Sequence, residues 1–106
     1  MGLKNWNIEA LTGYKPHTTF YLDFSMAEPF GISAIASTYN TAFEEWKSNL
    51  VYITELVMVL NWKIWEHHET NLTLAKFYQS LWEQADNWCL TNLKGDDLKY
   101  FLDTID

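Results

Sequence analysis

The sequence predicts an all-α fold: a compact bundle of three main helices plus a short C-terminal helix, with an aromatic N-terminal segment packed across it. Three observations carry that expectation. Residues 32–94 contain neither glycine nor proline, so no backbone breaker interrupts helices there. Apolar residues in that region recur three and four apart, the period of a helix face. The chain has 106 residues, 48% hydrophobic and 20% charged, enough for one core and too few for two. It is therefore read as a single helical domain, with 1–31 as an N-terminal wrap and 32–106 as the bundle.

The first main helix is expected over 32–47. Ile32, Ile35, Ala36, Tyr39, Ala42, Phe43 and Trp46 form one stripe, opposite Ser33, Ser37, Asn40, Thr41, Glu44 and Glu45, an ordinary amphipathic pattern. Ser48 and Asn49 follow, either of which suits the N-cap of the next helix. That second helix, over 50–69, places Leu50, Ile53, Leu56, Val57, Leu60 and Ile64 on one broad arc and Val51, Met58, Trp62 and Trp65 on another. A helix apolar around most of its circumference is central in its fold or has a second surface to cover.

The third helix is expected over 74–93, with Asn71 and Thr73 as cap candidates and a heptad-like seam of Leu74, Tyr78, Leu81, Ala85 and Trp88. Lys94 and Gly95 suit its end as a basic last turn and C-cap. Asp96 or Asp97 then caps a short helix with Leu98, Phe101, Leu102 and Ile105 on one face. The N-terminal third is more ambiguous. Asn5 suits the cap of a turn ending near Gly13. Phe20, Leu22 and Phe24 alternate with polar neighbours as a strand would, yet Phe20, Phe24 and Ala27 also share one side of a helix capped by Thr19. A lone strand would have no partner in this chain, so helix or extended wrap is favoured.

Charge narrows the function. Seven lysines face fourteen acids, there is no arginine, and the formal net charge is −7. Nucleic-acid binding rests on basic contacts to phosphate and on arginine for reading guanine, so direct binding to DNA or RNA is disfavoured. Anionic membrane surfaces would repel the chain, and its longest apolar run, 56–60, is too short to cross a bilayer. A basic protein would attract it. Cys89 is the single cysteine. The opening MGLKNWNIEAL lacks a signal-peptide apolar region and has Trp6 where a myristoylation signal has Ser or Thr. A reducing, cytoplasmic location is expected.

Motifs for chemistry are sparse. In Glu66-His67-His68-Glu69 the adjacent histidines diverge by about 100°, whereas helical metal ligands sit three or four apart. Histidines in a last turn are explained by the negative helix end, and His17 lies elsewhere in a loop. No metal and no cofactor are expected. The acidic pairs Glu44-Glu45, Glu66-Glu69, Glu83-Asp86, Asp96-Asp97 and Asp103-Asp106 fall on solvent faces or helix starts, where nothing raises a carboxyl pKa for acid–base work. Glu83, Asp86, Asp103 and Asp106 are read as an acidic face. Cys89, near the end of the third helix, is read as a small core residue. Phosphate loops, GxSxG elbows and CxxC pairs are absent. No catalytic residue and no enzymatic activity are expected.

The aromatics point to contact. They make up 17% of the chain and include six tryptophans, more indoles than three helices readily hide. Phe77 and Trp82 lie off the seam of the third helix. Met58, Trp62 and Trp65 lie off the main arc of the second and share their side with Glu55, Glu66 and Glu69. An apolar centre with a polar rim marks a binding patch, so these six are the expected partner-binding residues. The alternative is that the N-terminal thirty residues cover one of the off-seam clusters.

The runs TTFYLDFSMAEPFGISAIASTYNTAFEEWKSN, YITELVMVLNWKIWEHHE and LKGDDLKYF resemble small proteins carried on mobile elements of gut and oral bacteria. The resemblance spans about four fifths of the chain and transfers no catalytic residue. It implies an accessory or anti-defence role. The resulting expectation is a non-enzymatic acidic interaction protein, in its anti-defence version an inhibitor occupying the basic surface of a nucleic-acid-handling protein. A self-associating accessory subunit, dimerising through an aromatic face, is the first alternative. A small ligand-binding protein or enzyme using the His67/His68 end is the second.

Overall fold

Helix α1, Thr18–Ala27, opens the computed structural model, which describes residues 18–105. It runs into a 3-10 turn, Glu28–Phe30, where Pro29 occupies an early position whose N–H needs no helical partner. Gly31 separates that turn from α2, Ile32–Trp46. Its φ of 103° with ψ of 179° belongs to a region open essentially to glycine alone. Its carbonyl accepts the amides of Ala34 and Ile35, which starts α2.

Two asparagines set the next two helices. The Asn49 side chain accepts from the Tyr52 amide at 3.2 Å and caps α3, Leu50–His67. The Asn71 side chain accepts from the Leu74 amide at 3.1 Å and caps α4, Leu72–Asn92. Leu93 is extended, and α5 spans Gly95–Ile105. No strand occurs among the described residues.

Helix α3 is the axis of the fold. Every residue from 53 to 61 is buried, as are Lys63 and Ile64. Its packing against α4 is the most extensive in the molecule, and α1, α2 and α5 cover the rest of its circumference. The core joins Phe20 and Phe24 of α1 to Ile35 and Tyr39 of α2, Leu56 and Leu60 of α3, Tyr78, Leu81 and Ala85 of α4, and Phe101 and Ile105 of α5. Edge-to-face rings lock α1 across this bundle: Phe24 on Tyr78 at 5.8 Å and Phe20 on Trp46 at 6.0 Å.

The expected architecture is therefore the observed one, with local corrections. The 18–25 stretch is helix, with Phe20, Phe24 and Ala27 inside. Helix α4 begins two residues before the expected start, which leaves the capping to Asn71 and puts Thr73 inside the helix. Gly95 (φ 55°) opens α5 rather than closing α4, and Asp96 and Asp97 stand in the first turn of α5 rather than at its cap. There they face the positive helix end. Ile32 and Leu102, expected on buried stripes, are exposed. The expected turn from Asn5 to Gly13, Trp6, His17 and Asp106 lie outside the described residues.

Candidate functional site

The largest departure from the hydrophobic pattern is Lys63, whose side chain is fully inside the protein. Burying an ammonium is costly unless every donor is met. Three elements converge to meet them. Helix α1 and its 3-10 extension present Tyr21, Ser25 and Glu28 at spacings of four and three, so all three face α3. The last turns of α3 present Lys63, Glu66 and His67, and α4 contributes Tyr78.

Lys63 Nζ donates to Ser25 Oγ at 2.7 Å and pairs with Glu28 Oε2 at 2.9 Å and Glu66 Oε1 at 3.4 Å. The ammonium also stands 4.3 Å from the Tyr21 ring centroid, within cation–π range. Glu28 Oε2 accepts in addition from the Tyr78 hydroxyl at 2.6 Å and faces His67 Nε2 at 3.1 Å. An ionised carboxylate only accepts, so this contact places the proton on Nε2. The Tyr21 hydroxyl donates to Glu66 Oε1 at 2.6 Å. The rings of His67 and Tyr78 lie parallel at 5.9 Å.

These contacts set the ionisation of the cluster. Burial works against the Glu28 carboxylate, but donation from Tyr78 and Lys63 outweighs it and holds the group below its ordinary range. Burial, then donation to Glu66, pushes Tyr21 up to about 12. Burial and donation to Glu28 raise Tyr78 further still. Both phenols are thus donors at neutral pH rather than bases. Glu28, Glu66 and His67 each offer a ligand atom, all within 4.8 Å of one another. The Lys63 ammonium already supplies the positive charge between the two carboxylates, and a divalent cation there would be repelled by it. The cluster reads as an ionic clamp fastening α1 to α3 and α4.

The residues expected to meet a partner do not form one open patch. Met58 and Glu55 are buried within the chain. Trp62 is half-buried with Tyr21 edge-on at 6.1 Å, so α1 covers that side of α3. Trp65 is half-buried and packs edge-on to His68 at 4.7 Å. Glu66 belongs to the clamp, and Glu69 is exposed beside His68 at 3.5 Å. The expected acidic face is also divided. Glu83 is exposed on α4, whereas Asp86 is buried, which raises its carboxyl pKa. Asp103 is exposed on α5 and bonded to Lys99 at 2.7 Å. Cys89 is fully buried, and burial with the nearby Asp86 charge pushes its thiol up to about 12. That leaves it a core residue, as expected.

Exposed apolar surface concentrates elsewhere, on the outer side of α1 and the 3-10 turn. Leu22, Met26 and Phe30, four residues apart, are 55%, 70% and 81% exposed. Beside them a groove of about 440 Å³ runs between α1 and α2. Phe20, Ala27, Ala42 and Trp46 supply apolar lining, and Asp23 and Glu45 supply carboxylates. Neither acid has an ion-pair partner among the described residues. No family model, curated protein or solved structure matches the chain.

Proposed function

We propose that this chain is a non-enzymatic binding protein that engages a basic partner protein through the outer side of α1. The observation that carries the reading is the exposure of Leu22, Met26 and Phe30 on a segment whose other side is fully engaged. A helix that leaves three large apolar residues in water beside carboxylates with no ion-pair partner among the described residues has the makeup of an interface: an apolar centre to hold and a charged margin to steer. The net charge of −7 supports a basic partner over a second copy, since two like surfaces would repel. The mobile-element resemblance favours an anti-defence inhibitor whose partner handles nucleic acid. That version rests on charge and resemblance together.

Affinity capture from a host lysate tests the reading. Immobilised protein should retain a basic protein at about 0.1 M salt and release it near 1 M, where the Debye length falls to about 3 Å. Retention of nothing, or of partners indifferent to salt, contradicts it.

A further inference from the structure

We propose that the groove between α1 and α2 is the docking site itself and that its occupant is an amphipathic helix bearing lysine or arginine. This rests on the binding reading above and adds where the partner sits and what it presents. The volume of about 440 Å³ falls within the roughly 300–1,000 Å³ of binding clefts. A trough between two helices suits a third helix, whose anchors at every third and fourth residue enter it. Ala27 and Ala42 leave depth between the larger rings of Phe20 and Trp46, so apolar anchors have somewhere to go.

Charge selects the occupant. Asp23 comes from the α1 wall and Glu45 from the α2 wall, and no basic side chain among the described residues lines the groove. The nearest lysine in sequence, Lys47, bonds Glu44 at 2.9 Å and stands 5.6 Å from the Phe43 ring centroid. Phe43 and Lys47 are on the α2 side turned away from the groove, so the lysine does not neutralise the rim. A helix with cations flanking an apolar stripe would pair with both walls, whereas an acidic helix would meet only repulsion. Met26, 70% exposed at the lip, is unbranched and adapts to differently shaped partners.

The test uses the full chain and two synthetic peptides of roughly 18 residues, about five helical turns. One combines leucines with lysines on a helical pattern, and the other replaces the lysines by glutamates. NMR titration with the lysine peptide should shift the amides of Ala27, Thr38, Thr41 and Ala42, and the glutamate peptide should leave them in place. The Asp23→Lys/Glu45→Lys variant should weaken lysine-peptide binding at least about ten-fold, because it reverses the paired charges. Asp96→Lys/Asp97→Lys makes the same change in net charge on α5 and should weaken it no more than about three-fold, through long-range attraction alone.

Equal weakening by both variants would overturn the proposal, as would shifts centred on Trp62 and Trp65 or on Glu83. Concentration-dependent shifts at the groove without peptide would make the occupant a second copy and overturn it too. If the groove variant still captures the lysate partner, the groove assignment fails while the binding reading stands. If wild type takes the peptide in the groove yet captures nothing, the docking site stands and the physiological reading fails.

Discussion

The two sides of α1 and its 3-10 extension have nearly the same apolar content and opposite fates. The inner side holds Phe20 and Phe24, almost wholly inaccessible, and Tyr21, Ser25 and Glu28, each bonded to α3 or α4. The outer side holds Leu22, Met26 and Phe30, each more than half exposed. Hydrophobicity alone does not choose between these sides. The choice comes from polar complementarity: only the inner side carries the groups that the buried Lys63 requires. Rotating the helix would take Ser25 and Glu28 away from the buried ammonium and leave it only the longer contact to Glu66 on its own helix, a penalty of several kcal/mol. On the proposed reading, the side left outside is apolar because a partner covers it.

Breaking the inner side should have the largest effect. Lys63→Met leaves Glu28 and Glu66 facing each other without their cation and should destabilise the fold by about 3–5 kcal/mol. Combining it with Glu28→Gln should restore part of that loss, because the stranded charge is then gone. Chemical denaturation of Lys63→Met, Glu28→Gln and the double variant measures both effects, and a fully additive double variant would show that Lys63 and Glu28 are not coupled. Phe24→Ala, which opens a cavity beside Tyr78, should cost about 3 kcal/mol. A loss under about 1 kcal/mol would mean that α1 is only loosely seated.

Acid should loosen the same side. Glu28 is held below the ordinary glutamate value of 4.5, so its ionised form stabilises the fold above that value. The contribution is lost as pH falls through the lower folded-state value. The stability gap between wild type and Glu28→Gln should therefore be wide at pH 6 and narrow towards pH 3. Denaturant titrations at both pH values decide it, and a constant gap would detach Glu28 from the clamp.

This contrast also explains how much was legible in the sequence. The three main helices and their inner stripes followed from spacing, since Ile35, Tyr39, Leu56, Leu60, Tyr78, Leu81 and Ala85 repeat at helical intervals and all are buried. The 18–25 stretch was ambiguous because Leu22 is apolar on the exposed side, so Phe20, Leu22 and Phe24 imitate strand alternation. Lys63 did leave a local signal. At about 100° per residue it falls on the arc of Leu56 and Leu60, a charge in an otherwise apolar stripe. Its partners left none, for Ser25 and Glu28 meet α3 and α4 across 38 and 50 residues of chain. For Trp62 the sequence leaves open a partner face or cover by the N-terminal segment, because no local pattern reveals that Tyr21 packs over it.

Changes on the outer side should be the mildest for stability. Leu22→Ser alone should shift it by no more than about 0.5 kcal/mol, because exposed side chains have few contacts to lose. A larger loss would place Leu22 in the core of the fold.

The most direct test of the two-sided account pairs stability with binding in one variant, Leu22→Ser/Met26→Ser/Phe30→Ser. The account predicts wild-type helical content, a melting temperature lowered by no more than about 8 °C, the shift expected for roughly 1 kcal/mol in a domain near this size, and loss of the salt-sensitive partner. Capture at wild-type strength by a folded triple variant, or collapse of the fold itself, would contradict it.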